Sequence, residues 1–355
     1  MISSQRRPAS RSGYRSILTL VSLGIVTAAQ FAVAGSAAAA PASKCAPGAT
    51  ISEIVIPTPN SGPIALVVGP DDNIWFTEIN AGKIGRLTPD GQITEFPIPT
   101  PNSRPDAIVV GPDDALWFTE TAGNKIGRIT TNGQFTEYLV PTPGVVPTVI
   151  ERGYGDTLWF TERGSLANPG EGIGRITTDG VVTEFIVPTM NSRPLGIARG
   201  DDGNMWFTES VGSKVGRITP TGAITEWSVP PGTQPWEITR GKDGALWFTE
   251  LTSVAQNRIG RITTTGVLTE YAVPTFGSSV NDIFPGPGRT LYFSESNLLN
   301  GNKIGCITLS GVITEYQIPT PMSQTIGIIE GLNDDIWFVE TSGNKIGHMM
   351  LTDPD

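Results

Sequence analysis

Apolar and polar positions recur along this chain in one fixed order. After Pro63 comes a continuous apolar run, Ile64-Ala65-Leu66-Val67-Val68, which ends at the turn Gly69-Pro70-Asp71-Asp72. Ile74-Trp75-Phe76-Thr77 follows and is apolar on both faces, as a strand clamped between two neighbours is. A third segment, Lys83-Ile84-Gly85-Arg86-Leu87-Thr88, leads through Pro89-Asp90-Gly91 into Ile93-Thr94-Glu95-Phe96. There polar and apolar residues alternate, the pattern of a half-exposed strand after a tight reversal. The order predicts a four-strand unit running from a buried inner strand to a solvent-facing outer edge.

The unit repeats. Its second strand reads Trp-Phe-Thr-Glu or a close variant at Trp75, Trp117, Trp159, Trp206, Trp247, Tyr292 and Trp337. Spacings in the low-to-mid forties are what four short strands and their turns consume, and seven units suit a closed ring. The fold expected is all-β, a seven-bladed propeller over residues 51–350. The outer strands centre on Glu53, Glu95, Glu137, Glu184, Glu226, Glu270 and Glu315. The first of these precedes the first Trp phrase, and none follows the last. Ile51 to Ile54 should therefore pair with Lys345 to Met350 and complete the seventh blade, leaving no open edge.

Residues 1–40 break the pattern. Four arginines precede an apolar run from about Ile17 to Ala34, and the small-residue tract Gly35 to Ala40 follows. That arrangement predicts a secretory signal peptide and an extracytoplasmic protein. A linker over 41–50 and a tail over 351–355 flank the ring. The Sec and twin-arginine routes both stay open, because Arg6-Arg7 is followed by Pro8-Ala9-Ser10. Without those four arginines the chain holds 20 basic and 34 acidic residues, a net charge of −14. No basic stripe remains to neutralise phosphates, which excludes nucleic acid and anionic membrane as partners. The cleaved chain keeps no membrane span and is expected to be monomeric. Export permits a disulfide, and the chain has two cysteines, Cys45 and Cys306. A bridge between them would staple the ring closure if their Cα atoms come within about 7 Å.

Function should sit on the face where inner strands begin and Trp strands end. The loops there are longer in blades three (Arg163 to Gly172), five (Leu251 to Arg258) and six (Ser296 to Lys303), either as a binding rim or as drift in tolerant loops. The residues opening the inner strands do not repeat: Ile64, Asp106, Thr148, Leu195, Trp236, Asn281 and Ile326. Asp106, Thr148, Trp236 and Asn281, with Glu237 and Asp282, give the axis the mixed aromatic and polar lining of a small-ligand pocket. The alternative is a water-filled channel. The strand-ending carboxylates Glu78, Glu120, Glu162, Glu209, Glu250, Glu295 and Glu340 could ring a Mg²⁺ or Ca²⁺ ion. Seven identical copies point instead to an architectural duty: bonding the following loop, or pairing with the repeated Lys or Arg. The Gly-Arg arginines, such as Arg86 and Arg261, read as blade-to-blade pairing.

The phrases Trp-Phe-Thr-Glu, Asn-Lys-Ile-Gly-Arg-Ile-Thr and Ile-Thr-Glu-Phe-x-Ile-Pro-Thr-Pro resemble the streptogramin (virginiamycin) B lyase family, from about Ile51 to Met350. The resemblance implies a propeller that linearises a cyclic depsipeptide by Mg²⁺-assisted elimination. It implies catalytic histidines opening the inner strands of the last two blades; the matching residues are Asn281 and Ile326. A metal-binding Glu of the family falls on Gln324, and a further carboxylate on Glu340, the one metal candidate. The only histidine, His348, occupies the Arg position of the last Ile-Gly-Arg phrase, on a third strand away from the axis.

The function expected is a non-catalytic binding module for a small molecule, glycan or peptide at Asp106, Thr148, Trp236, Glu237, Asn281, Asp282 and Gln324. The alternatives are a divergent Mg²⁺-dependent lyase and a cell-envelope scaffold that binds protein through the rim loops.

Overall fold

The computed structural model describes residues 45–165, 168–252, 256–296 and 302–352. The expected signal peptide, linker residues 41–44, residues 166–167, 253–255 and 297–301 of the three longer loops, and residues 353–355 of the tail lie outside them. Among the described residues the strands form seven four-stranded antiparallel sheets arranged as the blades of a propeller. Six sheets take their strands in sequence order. The seventh joins Thr325–Glu330, Ile336–Glu340 and Lys345–Thr352 to the N-terminal strand Gly48–Val55.

Ring closure follows the expected register, with Glu53 opposite Gly347. The closing strand is longer than the sequence suggests, beginning at Gly48 inside the expected linker and pairing to Thr352. Cys45 and Cys306 are bonded, with Cα atoms 5.8 Å apart. The bridge ties the segment before the closing strand to the third strand of blade six, across 261 residues of sequence. Cross-linking so long a loop removes much unfolded-state freedom, so Cys45→Ser is expected to cost about 2–4 kcal/mol. Urea unfolding under oxidising conditions measures it, and a loss below about 0.5 kcal/mol would show the closing strand to hold without its staple.

The Trp phrase builds the blade interfaces. Trp75, Trp117, Trp206 and Trp247 are fully buried, and each clusters with residues of the next blade; Trp75, for example, packs with Leu116 and Phe118. Their indole N–H groups donate to the turn aspartates Asp71, Asp113, Asp202 and Asp243, and their rings stack on aromatics of the outer strand. The repeated arginines divide between two duties. Arg86 and Arg175 donate to carbonyls of the following blade, at Thr131 and Pro220, as the sequence suggests. Arg128, Arg217 and Arg261 instead pair with the turn aspartate of their own blade.

Candidate functional site

Each inner strand carries a register shift near its start, opposite the Thr position of the Trp phrase, so two of its residues bulge out of the ladder. A bulge re-aims side chains, and here it affects the positions that differ between blades. In six blades the hydroxyl of the Trp phrase, Thr in five and Ser294 in blade six, fixes the bulge. Thr208 Oγ1 accepts from Gly196 N (2.9 Å) in its own blade and donates to the Trp236 carbonyl (2.5 Å) in the next. Thr77, Thr119, Thr161 and Thr249 do the same for the carbonyls of Asp106, Thr148, Leu195 and Asn281. Blade seven has Val339 there and no such peg. Its seam with blade one relies on Gly327, where an added Cβ would lie 2.5 Å from the Ile64 carbonyl, and on Thr341 Oγ1 donating to the Pro63 carbonyl at 2.7 Å.

The bulges surround an axial cavity of about 570 Å³, within the range of small-molecule sites. Ile64, Leu195 and Ile326 supply apolar wall. Asp106, Thr148, Trp236, Glu237, Asn281 and Asp282 all line it, as the sequence suggests. Glu151, Arg163, Arg199, Arg240 and Lys242 complete its charged lining.

The carboxyl groups are held in unusual states. Burial pushes Asp106 up to about 6, against the pull of Arg163 and Arg104. Burial raises Glu151 to about 7, opposed by Arg199. Asp282 rises to about 7 through burial, although its two oxygens accept the backbone N–H of Ile283 (2.8 Å) and Ile328 (3.0 Å). Glu237 is raised well above the carboxylate range by burial and then by the charges of Asp282 and Asp106.

Asn281 and Asp282 also join blades. The Asn281 amide donates to Ser296 Oγ (2.9 Å) and to the Thr325 carbonyl (2.8 Å), and Asp282 reaches Ile328 of blade seven. Gln324 lies outside the lining, exposed at φ 51° on the preceding turn, where its Oε1 accepts from Ser342. Glu340 is buried within blade seven, pushed up to about 7 by burial and by Glu53. It does not face the cavity. His348 stacks on Trp337 (centroids 4.0 Å apart) and bonds Asp335 at 2.6 Å, inside the blade.

The Mg²⁺ implied by the resemblance does not fit this donor set. Among the described residues no three His, Cys, Asp or Glu side chains are grouped to hold a metal ion. Ile326 offers no donor atom, the Asp282 oxygens are already engaged by backbone N–H groups, and Glu340 points away.

The strand-ending glutamates have a structural duty, though a different one from pairing with the repeated cation. Lys83 bonds Glu95 of the outer strand (2.8 Å) and Thr58 (2.6 Å), and Lys125, Lys214, Lys303 and Lys345 pair with outer-strand glutamates likewise. Each Trp-strand glutamate is left facing that outer-strand carboxylate. At Glu120 neither oxygen meets a donor, and burial followed by the Glu137 charge pushes it up to about 8. A proton on Glu120, donated to Glu137, satisfies both groups.

Arg163, like Glu151, Arg199, Arg240 and Lys242, is a cavity residue that did not stand out as a site candidate; in the sequence it reads as the start of a rim loop. The signal was present: in the other blades this position holds Ile79, Thr121, Ser210, Leu251, Ser296 and Thr341, none of them charged.

A sequence profile of the virginiamycin B lyase family matches residues 34–253 and 225–353. Selenomethionine-substituted virginiamycin B lyase from Staphylococcus aureus is 38% identical, with a TM-score of 0.79 covering 86% of this chain and 100% of that one. A streptogramin B lyase structure is 37% identical at the same TM-score, covering 86% and 98%. A catalytically inactive histidine-to-alanine variant of the Staphylococcus aureus enzyme with quinupristin is 37% identical, again at 0.79, covering 86% and 100%. No match was found among curated proteins.

Proposed function

The chain belongs to the virginiamycin B lyase family, and from that premise we propose that it is a binding propeller that takes a small molecule into the axial cavity without opening a depsipeptide. The cavity wall carries this reading. Trp236, Asp106, Thr148 and Glu237 offer a large apolar face and a few placed polar groups, while no imidazole stands in the lining. Elimination beside an ester needs a base for the α-proton and a means of polarising the carbonyl. Ile326 can supply neither, and the Asn281 amide N–H groups are spent on Ser296 and Thr325. Family membership alone does not transfer activity. The signal-like N-terminus and the Cys45–Cys306 bridge support export to an oxidising compartment.

With quinupristin as substrate the protein is expected to leave the ring closed in the presence of Mg²⁺; ring opening abolished by EDTA would overturn the reading. In a thermal-shift panel of amino acids, oligosaccharides and short peptides, Trp236→Ala should weaken any binder at least tenfold. Circular dichroism should show the fold unchanged. A binder indifferent to Trp236 would place recognition elsewhere.

A further inference from the structure

The cavity has four cationic and four acidic residues in its lining, Arg163, Arg199, Arg240 and Lys242 against Asp106, Glu151, Glu237 and Asp282. Three of the cations are occupied. Arg240 pairs with Asp201 at 2.5 Å, Lys242 donates to the Gly286 carbonyl at 2.7 Å, and Arg199 lies over the Tyr154 ring. Arg163 differs. It projects from the Trp strand of blade three, and among the described residues no carboxylate comes within ion-pair distance of its guanidinium. Asp106 is the acid whose charge acts on it, and Arg193 adds a charge of the same sign. Arg104 acts on Asp106 in turn.

Arg104 and Arg193 stand at equivalent places, each at positive φ just before the inner strand of its blade, where blade one has Gly62. Their backbones are pinned, since Thr121 Oγ1 donates to the Arg104 carbonyl (2.8 Å) and Ser210 Oγ to that of Arg193 (3.0 Å). Their side chains stay exposed and form no ion pair among the described residues. Three arginines thus bracket the mouth along blades two to four, on a chain that is acidic as a whole. Burial weakens the acids of the lining as counter-charges on the acid side of neutrality: it raises Glu237 well above the carboxylate range, Asp282 and Glu151 to about 7 and Asp106 to about 6.

We propose that this mouth is a carboxylate site: the cavity takes a small organic acid whose carboxylate is held by Arg163 within the field of Arg104 and Arg193, with its apolar part against Trp236. The planar fork of a guanidinium matches the two oxygens of a carboxylate. The inference rests on the pocket reading above and names the ligand class for it. Affinity should fall as pH rises from 6 to 8.5. Over that range Asp106, which faces Arg163, Arg104 and Glu237, Asp282, which faces Glu237, and Glu151, which faces Arg199 and Arg152, lose their protons and repel the ligand.

The test is calorimetric titration of the oxidised protein with 1-naphthylacetate and its neutral isostere 1-naphthylacetamide at pH 6 and low salt. The acid should bind at least tenfold tighter. Arg163→Gln should remove that preference, Asp106→Asn should strengthen it, and Trp236→Ala should weaken both probes alike. Equal binding of the two probes, or an acid preference that survives Arg163→Gln, overturns the carboxylate site. In that event amide binding that depends on Trp236 would leave the pocket reading standing, and amide binding indifferent to Trp236 would sink both.

Discussion

Alanine at Gly127 is expected to destabilise the protein by about 3 kcal/mol, near the upper end of ordinary core overpacking. Gly127 is the glycine of an Ile-Gly-Arg phrase and lies opposite Phe118 in the ladder. The Phe118 ring lies flat over it, and an added Cβ would sit 2.1 Å from Phe118 Cζ. Neither group can yield, because Phe118 is fully buried and held edge-on against Phe135. The same 2.1 Å approach recurs at Gly85, Gly174, Gly305 and Gly347, so the glycine is a packing requirement of the blade. Urea unfolding of Gly127→Ala measures the cost, and Phe118→Leu in that background should recover part of it by freeing the space. A cost below about 0.5 kcal/mol would show that the Phe has room to move.

Stability should peak near pH 5 and fall steadily through pH 9, by an amount that dominates the pH profile. Burial raises Glu78, Glu209, Glu295 and Glu340 to about 7, Glu120 and Glu162 to about 8, and Glu250 to about 9, each also facing an outer-strand glutamate. In the unfolded chain these groups titrate near 4.5. Between that value and 7–9 the native state holds more protons than the unfolded state, so stability drops as pH rises through the window. The outer-strand partners Glu53, Glu95, Glu137, Glu226 and Glu315 shift the other way, lowered by their Lys and Thr hydrogen bonds. Their contribution is present above about 4.5 and is lost as pH falls below it, which sets the acid side of the optimum. Glu120→Gln mimics the protonated acid, keeping a donor toward Glu137. It should raise the melting temperature at pH 8.5 and leave it nearly unchanged at pH 5. A melting temperature that holds constant or rises from pH 6 to 9 would mean that the acid pairs are not protonated in the native ring.

Much of the cavity lining was legible because a repeat makes its exceptions visible. Asp106, Thr148, Trp236, Glu237, Asn281 and Asp282 stand out against small apolar residues at matching positions, and all six line the cavity. Their working states were not legible. Asn281 and Asp282 look free to bind a ligand until the fold brings the Thr325 carbonyl and the Ile328 amide beside them. Gln324 is only one residue from an inner strand, yet the turn directs it to Ser342.

The sequence by itself determined the number of blades, the strand order within each and the exchange of the N-terminal strand into the last. Hydrophobic period, turn residues and repeat length are local quantities that a chain carries before it folds. Only the tertiary structure decided that the repeated Lys meets the outer-strand glutamate, that the Trp-strand glutamate must then hold a proton, and that Cys45 reaches Cys306. It also decided that Arg163 forms no ion pair among the described residues while Arg240 pairs with Asp201. These outcomes depend on which groups meet across blade boundaries and on how much water is excluded there. Distances and desolvation of that kind arise only once the ring has closed.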